Sequence, residues 1–208
     1  MTDWNCDDLF DCGHAMLCSP VSRLVCDMER FREDAQEAMS VKGMGAVYTR
    51  TSDGAILQQI TAEEREDILR CYYDPHHATL TRMVDERLEI FGRCLIVDGH
   101  SFPAKPLPYE FSQDTNRPDI CIGSDDFHTP AALVETTAEF LRSKRYTVAV
   151  NTPFSGTLVP MKYYRRDTKV QSIMIEINRG LYWRRSQADY RKVKETIDQL
   201  LNRMFLRF

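Results

Sequence analysis

The sequence predicts an α/β fold with a largely parallel sheet, and three observations carry that prediction. Cys94-Leu95-Ile96-Val97 is an apolar run without polar alternation, the pattern of a strand covered on both faces. Asp119 to Gly123 repeats it. From there helical and strand periods alternate to the end of the chain. The 208 residues are 43% apolar and 28% charged, enough for a sizeable core, and 9 Gly with 9 Pro exclude collagen-like or disordered composition. No linker or repeat divides the chain, so a single domain over 1–208 is expected.

Taken in order, Trp4 to Phe10 can form a short helix, and Val21 to Asp27 and Gly45 to Arg50 are β-branched runs expected to be strands, the second ending in the turn Thr51-Ser52-Asp53-Gly54. Thr61 followed by Ala-Glu-Glu is a helix start with an N-cap and an acidic first turn. Ile68, Leu69, Tyr72 and Tyr73 then share a side before Asp74-Pro75 interrupts. A second helix resumes with Leu80, Met83, Val84, Leu88 and Phe91 and closes at Gly92. After the Cys94 strand comes Phe102 to Pro118, four prolines in a long loop of the kind that is often functional. Thr129 to Ser143 is an amphipathic helix, Tyr146 to Val150 and Ser172 to Ile177 are strands, and Ser186 to Met204 is a terminal helix.

Ligands of open α/β sheets gather beyond the carboxyl ends of strands, which selects Asp98 to Ser101, Asn151 to Gly156 and Glu176 to Arg179. Asp98 and His100 are two apart, so in extended backbone they leave on the same side, a spacing that lets a carboxylate support an imidazole ligand. A histidine satisfied within a loop is the other reading. Glu176 interrupts Ile173-Met174-Ile175 and Ile177, where a buried charge needs a partner or a task; an ion pair with Arg179 is the structural alternative.

The net charge of -4 and the scattered Lys and Arg argue against a nucleic-acid surface. No apolar run approaches the roughly 18 to 20 residues that span a bilayer, and Met1 to Asp8 is polar and acidic, so a cytoplasmic protein without a membrane partner is expected. Seven cysteines, an odd number, suggest no disulfide framework; Cys26, Cys94 and Cys121 read as buried thiols. Cys6, Cys12 and Cys18 recur every six residues but lack the Cys-x2-Cys grip of a zinc knuckle.

A set of motifs resembles the N-formylglutamate amidohydrolase family: Thr2-Asp3-Trp4, Ser22-Arg23-Leu24-Val25, Gly43-Met44-Gly45 leading to Tyr48-Thr49-Arg50, Tyr73-Asp74-Pro75, Asp98-Gly99-His100-Ser101, Asn151-Thr152-Pro153-Phe154-Ser155-Gly156, and Gln171 through Glu176-Ile177-Asn178-Arg179 to Leu181-Tyr182. Their order and spacing carry the resemblance. It implies a zinc-carboxypeptidase-like three-layer α/β/α sandwich and hydrolysis of a formamide or related amide, with one zinc ion as cofactor and a small N-acyl amino acid as substrate. His100 would be a zinc ligand oriented by Asp98, with Ser101 beside it, and Glu176 the general base. Arg179, Asn178 and Arg50 would meet the substrate carboxylates, while Asn151, Phe154 and Gly156 shape the pocket wall.

The chain starts just before Thr-Asp-Trp, whereas relatives begin with a strand ending in Pro-His-Ser-Gly whose histidine is a further ligand. Asp3 would be a carboxylate ligand or the cap of the Trp4–Phe10 helix. His14, His76, His77 and His128 read as surface or helix histidines. Thr157 stands where many relatives carry glycine. Besides a deformylase, two alternatives remain open at this level: a degenerate member that binds a small anionic ligand without catalysis, and a metallohydrolase of another amide.

Overall fold

The structure, a computed structural model, describes residues 2–207. In chain order its elements are α1 (Cys6–Leu9), α2 (Ala62–Ile68), a π-helical turn (Leu69–Tyr73), α3 (Asp74–Phe91), β1 (Cys94–Phe102), β2 (Ile120–Gly123), α4 (Ala131–Ser143), β3 (Val148–Val150), β4 (Val170–Asn178) and α5 (Gln187–Arg207), with short 3-10 turns between some of them. They fall into two compact units, one built on Leu17–Met83 with Pro106–Gln113, the other on Asp3–Met16, Val84–Lys105 and the chain from Asp114 onward.

The first unit corrects two expectations. Val21 to Asp27 and Gly45 to Arg50 are not strands; this part of the chain carries only the isolated bridges Met44–Tyr48 and Arg50–Ile56. Their apolar side chains do pack, Cys26, Ala46 and Val47 against Met28, Leu69 and Tyr73. The backbone, however, is satisfied by turns and carboxylates in place of a ladder. Asp27 N–H donates to the Ala46 carbonyl at 2.8 Å, and the Phe31 and Met39 amides donate to the two oxygens of Glu37 at 3.1 and 2.9 Å. The second correction concerns Pro75. Helix α2 opens with the expected cap, Thr61 and Glu64 bonding each other's amides as a capping box. It does not break at the proline. The π-helical turn Leu69–Tyr73 widens the ladder just before Pro75 and lets the helix run on into α3.

The second unit holds a single mixed sheet in the order β1-β4-β2-β3, with β1–β4 and β2–β3 parallel and β2–β4 antiparallel. Ile173, Ile175 and Ile177 of β4 and Ile120 and Ile122 of β2 turn to one face and are covered by α4 and α5 through Leu141, Ile197 and Leu200. On the opposite face the start of the sheet is apolar, Cys94 and Val170 packing with Val84 of α3 and with Val159. The polar residues follow along the same face. Strand β1 is longer than expected: its pairing with β4 continues to Phe102–Asn178, so Asp98 and His100 stand within the strand and not at its exit. Gly92 closes α3 in left-handed conformation (φ 71°), its N–H bonding the Leu88 carbonyl. Ser186 and Asp189 form a reciprocal cap at the start of α5. Among the described residues, no helix is long and apolar enough to cross a membrane.

Candidate active site

Strand register builds the site. His100 of β1 lies opposite Glu176 of β4, and Glu176 lies opposite Cys121 of β2. In-register neighbours project from the same side at about 4.8 Å between strands, so an imidazole, a carboxylate and a thiol share the face away from α4 and α5. Glu176 is 8% exposed. Its place between isoleucines that point the other way is why an otherwise apolar strand tolerates it.

His100 has a carboxylate on each ring nitrogen. Nε2 donates to Asp98 Oδ1 at 2.8 Å, and Asp98 Oδ2 accepts the Leu158 N–H at 2.9 Å. Asp98 is therefore fixed at both oxygens and fixes the imidazole in turn. On the other side Nδ1 faces Asp3 Oδ2 at 3.5 Å, while Asp3 Oδ1 accepts the Ser101 N–H at 2.9 Å. Ser101 thus enters through its backbone. The two readings of Asp3 are separated here: Asn5 stands at the N-cap of α1, and the Asp3 carboxylate turns to β1.

With Nε2–H committed to Asp98, Nδ1 presents a lone pair to a carboxylate oxygen, an arrangement that calls for a cation or a proton between them. A tetrahedral zinc with bonds of about 2.0–2.1 Å separates two of its ligand atoms by about 3.3 Å, close to the distance between Nδ1 and Asp3 Oδ2. His100 and Asp3 therefore fit two ligand positions of a zinc site, with Asp98 behind the histidine. The nearby thiols are poor alternatives as nucleophiles or ligands. Burial, followed by the Asp3 charge, pushes the Cys6 thiol up to about 12, and burial pushes Cys121 up to about 11. Cys121 Sγ instead donates to the Phe154 carbonyl at 3.2 Å.

The residues expected to meet substrate have varied placements. Phe154 stands on this face, its ring 5.6 Å from that of Phe102. Asn151, in left-handed conformation (φ 56°), ties the end of β3 to β2: its N–H bonds the Ile122 carbonyl and its side chain both accepts from and donates to Ser124. Gly156 brings its carbonyl over β2, within 2.4 Å of where a Cβ on Gly123 would sit. Asn178 holds structure with both ends of its amide, Oδ1 accepting from Gly180 N–H at 2.9 Å and Nδ2 donating to the Pro118 carbonyl at 3.1 Å. Arg179 is buried at the head of the 3-10 turn Arg179–Leu181. Arg50 belongs to the first unit, where its guanidinium donates to the Gly54 carbonyl at 2.8 Å.

Arg117 was not among the expected site residues. It leaves the long loop to set its guanidinium 5.6 Å from the Phe102 ring centroid and 5.8 Å from that of Phe154, with Nη1 donating to the Pro103 carbonyl at 3.1 Å. The proline-rich loop was a signal for function, but nothing local singles out this arginine within it. Of the remaining histidines, His128 is fully buried, Nδ1 donating to the Val170 carbonyl and Nε2 accepting from Arg165 N–H. His76 and His77 are helix histidines of α3, as expected, the first buried and the second partly so.

The N-formylglutamate amidohydrolase family matches residues 1–183. An N-formylglutamate deformylase of Pseudomonas putida is 25% identical over 193 residues, 87% of this chain and 70% of that protein. An N-formylglutamate amidohydrolase of Ralstonia eutropha JMP134 superposes with a TM-score of 0.77 at 24% identity, over 97% of this chain and 81% of that one. A gene product of Agrobacterium tumefaciens superposes at 0.66 with 18% identity, over 89% and 68% of the two chains. The two structures establish the shared fold, and the family match runs through every strand and every motif of the site: the chain belongs to the N-formylglutamate amidohydrolase family.

Proposed function

We propose that this chain is a zinc-dependent amide hydrolase that releases formate from N-formyl-L-glutamate or a similar small N-acyl amino acid. The observation that carries the reading is the register pair His100–Glu176, with His100 held between Asp98 and Asp3. His100 and Asp3 would hold the metal, which when bound supplies a Lewis acid that polarises the amide carbonyl and acidifies water. Glu176 takes the proton from the attacking water and delivers it to the departing amine nitrogen. Its register with His100 sets the carboxylate on the face where the metal would be held. Asp98 holds the imidazole so that its Nδ1 stays unprotonated and directed at the metal position. The Phe154 segment lies over the same face, its carbonyl bonded to the Cys121 thiol and its ring against Phe102.

The test is formate release from N-formyl-L-glutamate by zinc-supplemented protein. Glu176→Gln is expected to lower kcat by about 100-fold or more while leaving the circular dichroism spectrum unchanged. A parent chain that releases no formate, or a variant that matches it, would remove the proposal. Zinc-independent ligand binding without turnover would instead favour a binding protein on the same scaffold.

A further inference from the structure

The long loop delivers one cation to the face that carries Glu176. Phe102 is two residues beyond His100 on β1, so both side chains leave the same side, about 6.6 Å apart along the strand. The ring of Phe154, whose carbonyl bonds the thiol in register with Glu176, lies against Phe102. Arg117 stands against both rings, half-buried and tied at Nη1 to Pro103. The next residue is itself held, since the Pro118 carbonyl accepts Asn178 Nδ2. A guanidinium held against two aromatic rings loses little further freedom when it binds an anion, and its fork matches a carboxylate.

We infer that Arg117 is the specificity-determining residue that receives the side-chain carboxylate of an N-acyl glutamate, the Phe154 ring packing against the methylenes that lead to it. This rests on the hydrolase reading and deepens it. The span fits. In an extended N-formylglutamate the formyl carbon and the side-chain carboxylate carbon are five bonds, about 6 Å, apart, whereas the α-carboxylate is only three bonds away. A group reacting beside His100 and Glu176 thus brings the more distant carboxylate level with the next position on the same face.

Binding is measured by calorimetry in a zinc-supplemented Glu176→Gln background, where the ligand persists, with N-formyl-L-glutamate and N-formyl-L-glutamine as the two probes. The background protein is expected to prefer the dicarboxylate by about tenfold or more, and Arg117→Met, which keeps an aliphatic stem beside the rings, is expected to bring the preference to within about twofold. Arg117→Lys, which keeps the charge without the fork and guards against a folding defect in the first variant, is expected to show an intermediate preference. A preference that survives in both variants, or a background protein that fails to distinguish the probes, overturns the inference. Formate release by the parent chain separates this from the broader reading. Release without an Arg117-dependent preference overturns the arginine's assignment alone; an Arg117-dependent preference without release overturns the hydrolase alone.

Discussion

Asp98 shows how much one atom's commitments decide. Its two oxygens accept from two different donors, His100 Nε2 and the Leu158 backbone. An asparagine there has one acceptor and one donor, so Asp98→Asn must either lose the Leu158 bond or turn an N–H toward the imidazole and force the opposite tautomer. Zinc affinity is therefore expected to fall by about 10- to 100-fold, measured by competition with a chromophoric chelator. Unchanged affinity would mean that His100 is not a ligand. The Asp98-x-His100 spacing was legible because two residues of extended chain always share a face. The support from Leu158 was not, because it comes from a backbone group 60 residues away with no side-chain signature. Arg117 was hidden in the same way: its partners Phe102 and Phe154 lie on opposite sides of it in sequence and meet only in the folded unit.

At the level of elements, β2 and the loop that crosses it depend on a missing side chain. A Cβ on Gly123 would sit 2.3 Å from Met174 Cε and 2.4 Å from the Gly156 carbonyl oxygen. The methionine can turn away, but the carbonyl belongs to backbone and moves only with its loop. Gly123→Ala is expected to cost about 1–3 kcal/mol in a urea titration and to lower turnover, since it displaces the segment that carries Phe154. A variant with parental stability and turnover would show that the loop does not need this approach. Elements with partners along their whole length were readable from sequence: the uniform apolar runs of β1 and β4 occur because both faces of that sheet are covered. Val21 to Asp27 and Gly45 to Arg50 carry similar residues yet form no ladder, since Glu37 and the turns satisfy neighbouring amides first. Side-chain composition reports burial. It does not report which acceptor the backbone finds.

For the whole molecule, two units raise the question of whether they unfold together, and acid gives a handle on the first. His77 Nε2 pairs with the Met28 carbonyl at 3.0 Å and its ring stacks on Tyr73. Burial pushes its pKa down to about 4, and burial also lowers that of His76. In the unfolded chain His77 takes a proton near pH 6.5, whereas the folded unit holds it neutral until about pH 4. The unfolded state therefore binds more protons across that window. Stability is fully present above pH 6.5 and declines as pH falls toward 4, by about 2 kcal/mol between pH 7 and pH 5 from this group. His77→Phe keeps a ring against Tyr73 without a titrating group, and its stability is expected to change less over the same interval. Hydrogen exchange of the α2 amides reads the first unit, while Trp4 and Trp183, stacked at 5.7 Å, report the second by fluorescence. Equal acid sensitivity of parent and variant in the exchange measurement would remove His77 as the cause. If the substitution instead flattens both signals alike, the two units share one unfolding transition; if it flattens only the exchange signal, the first unit opens alone and the sheet that carries His100 and Glu176 stands without it.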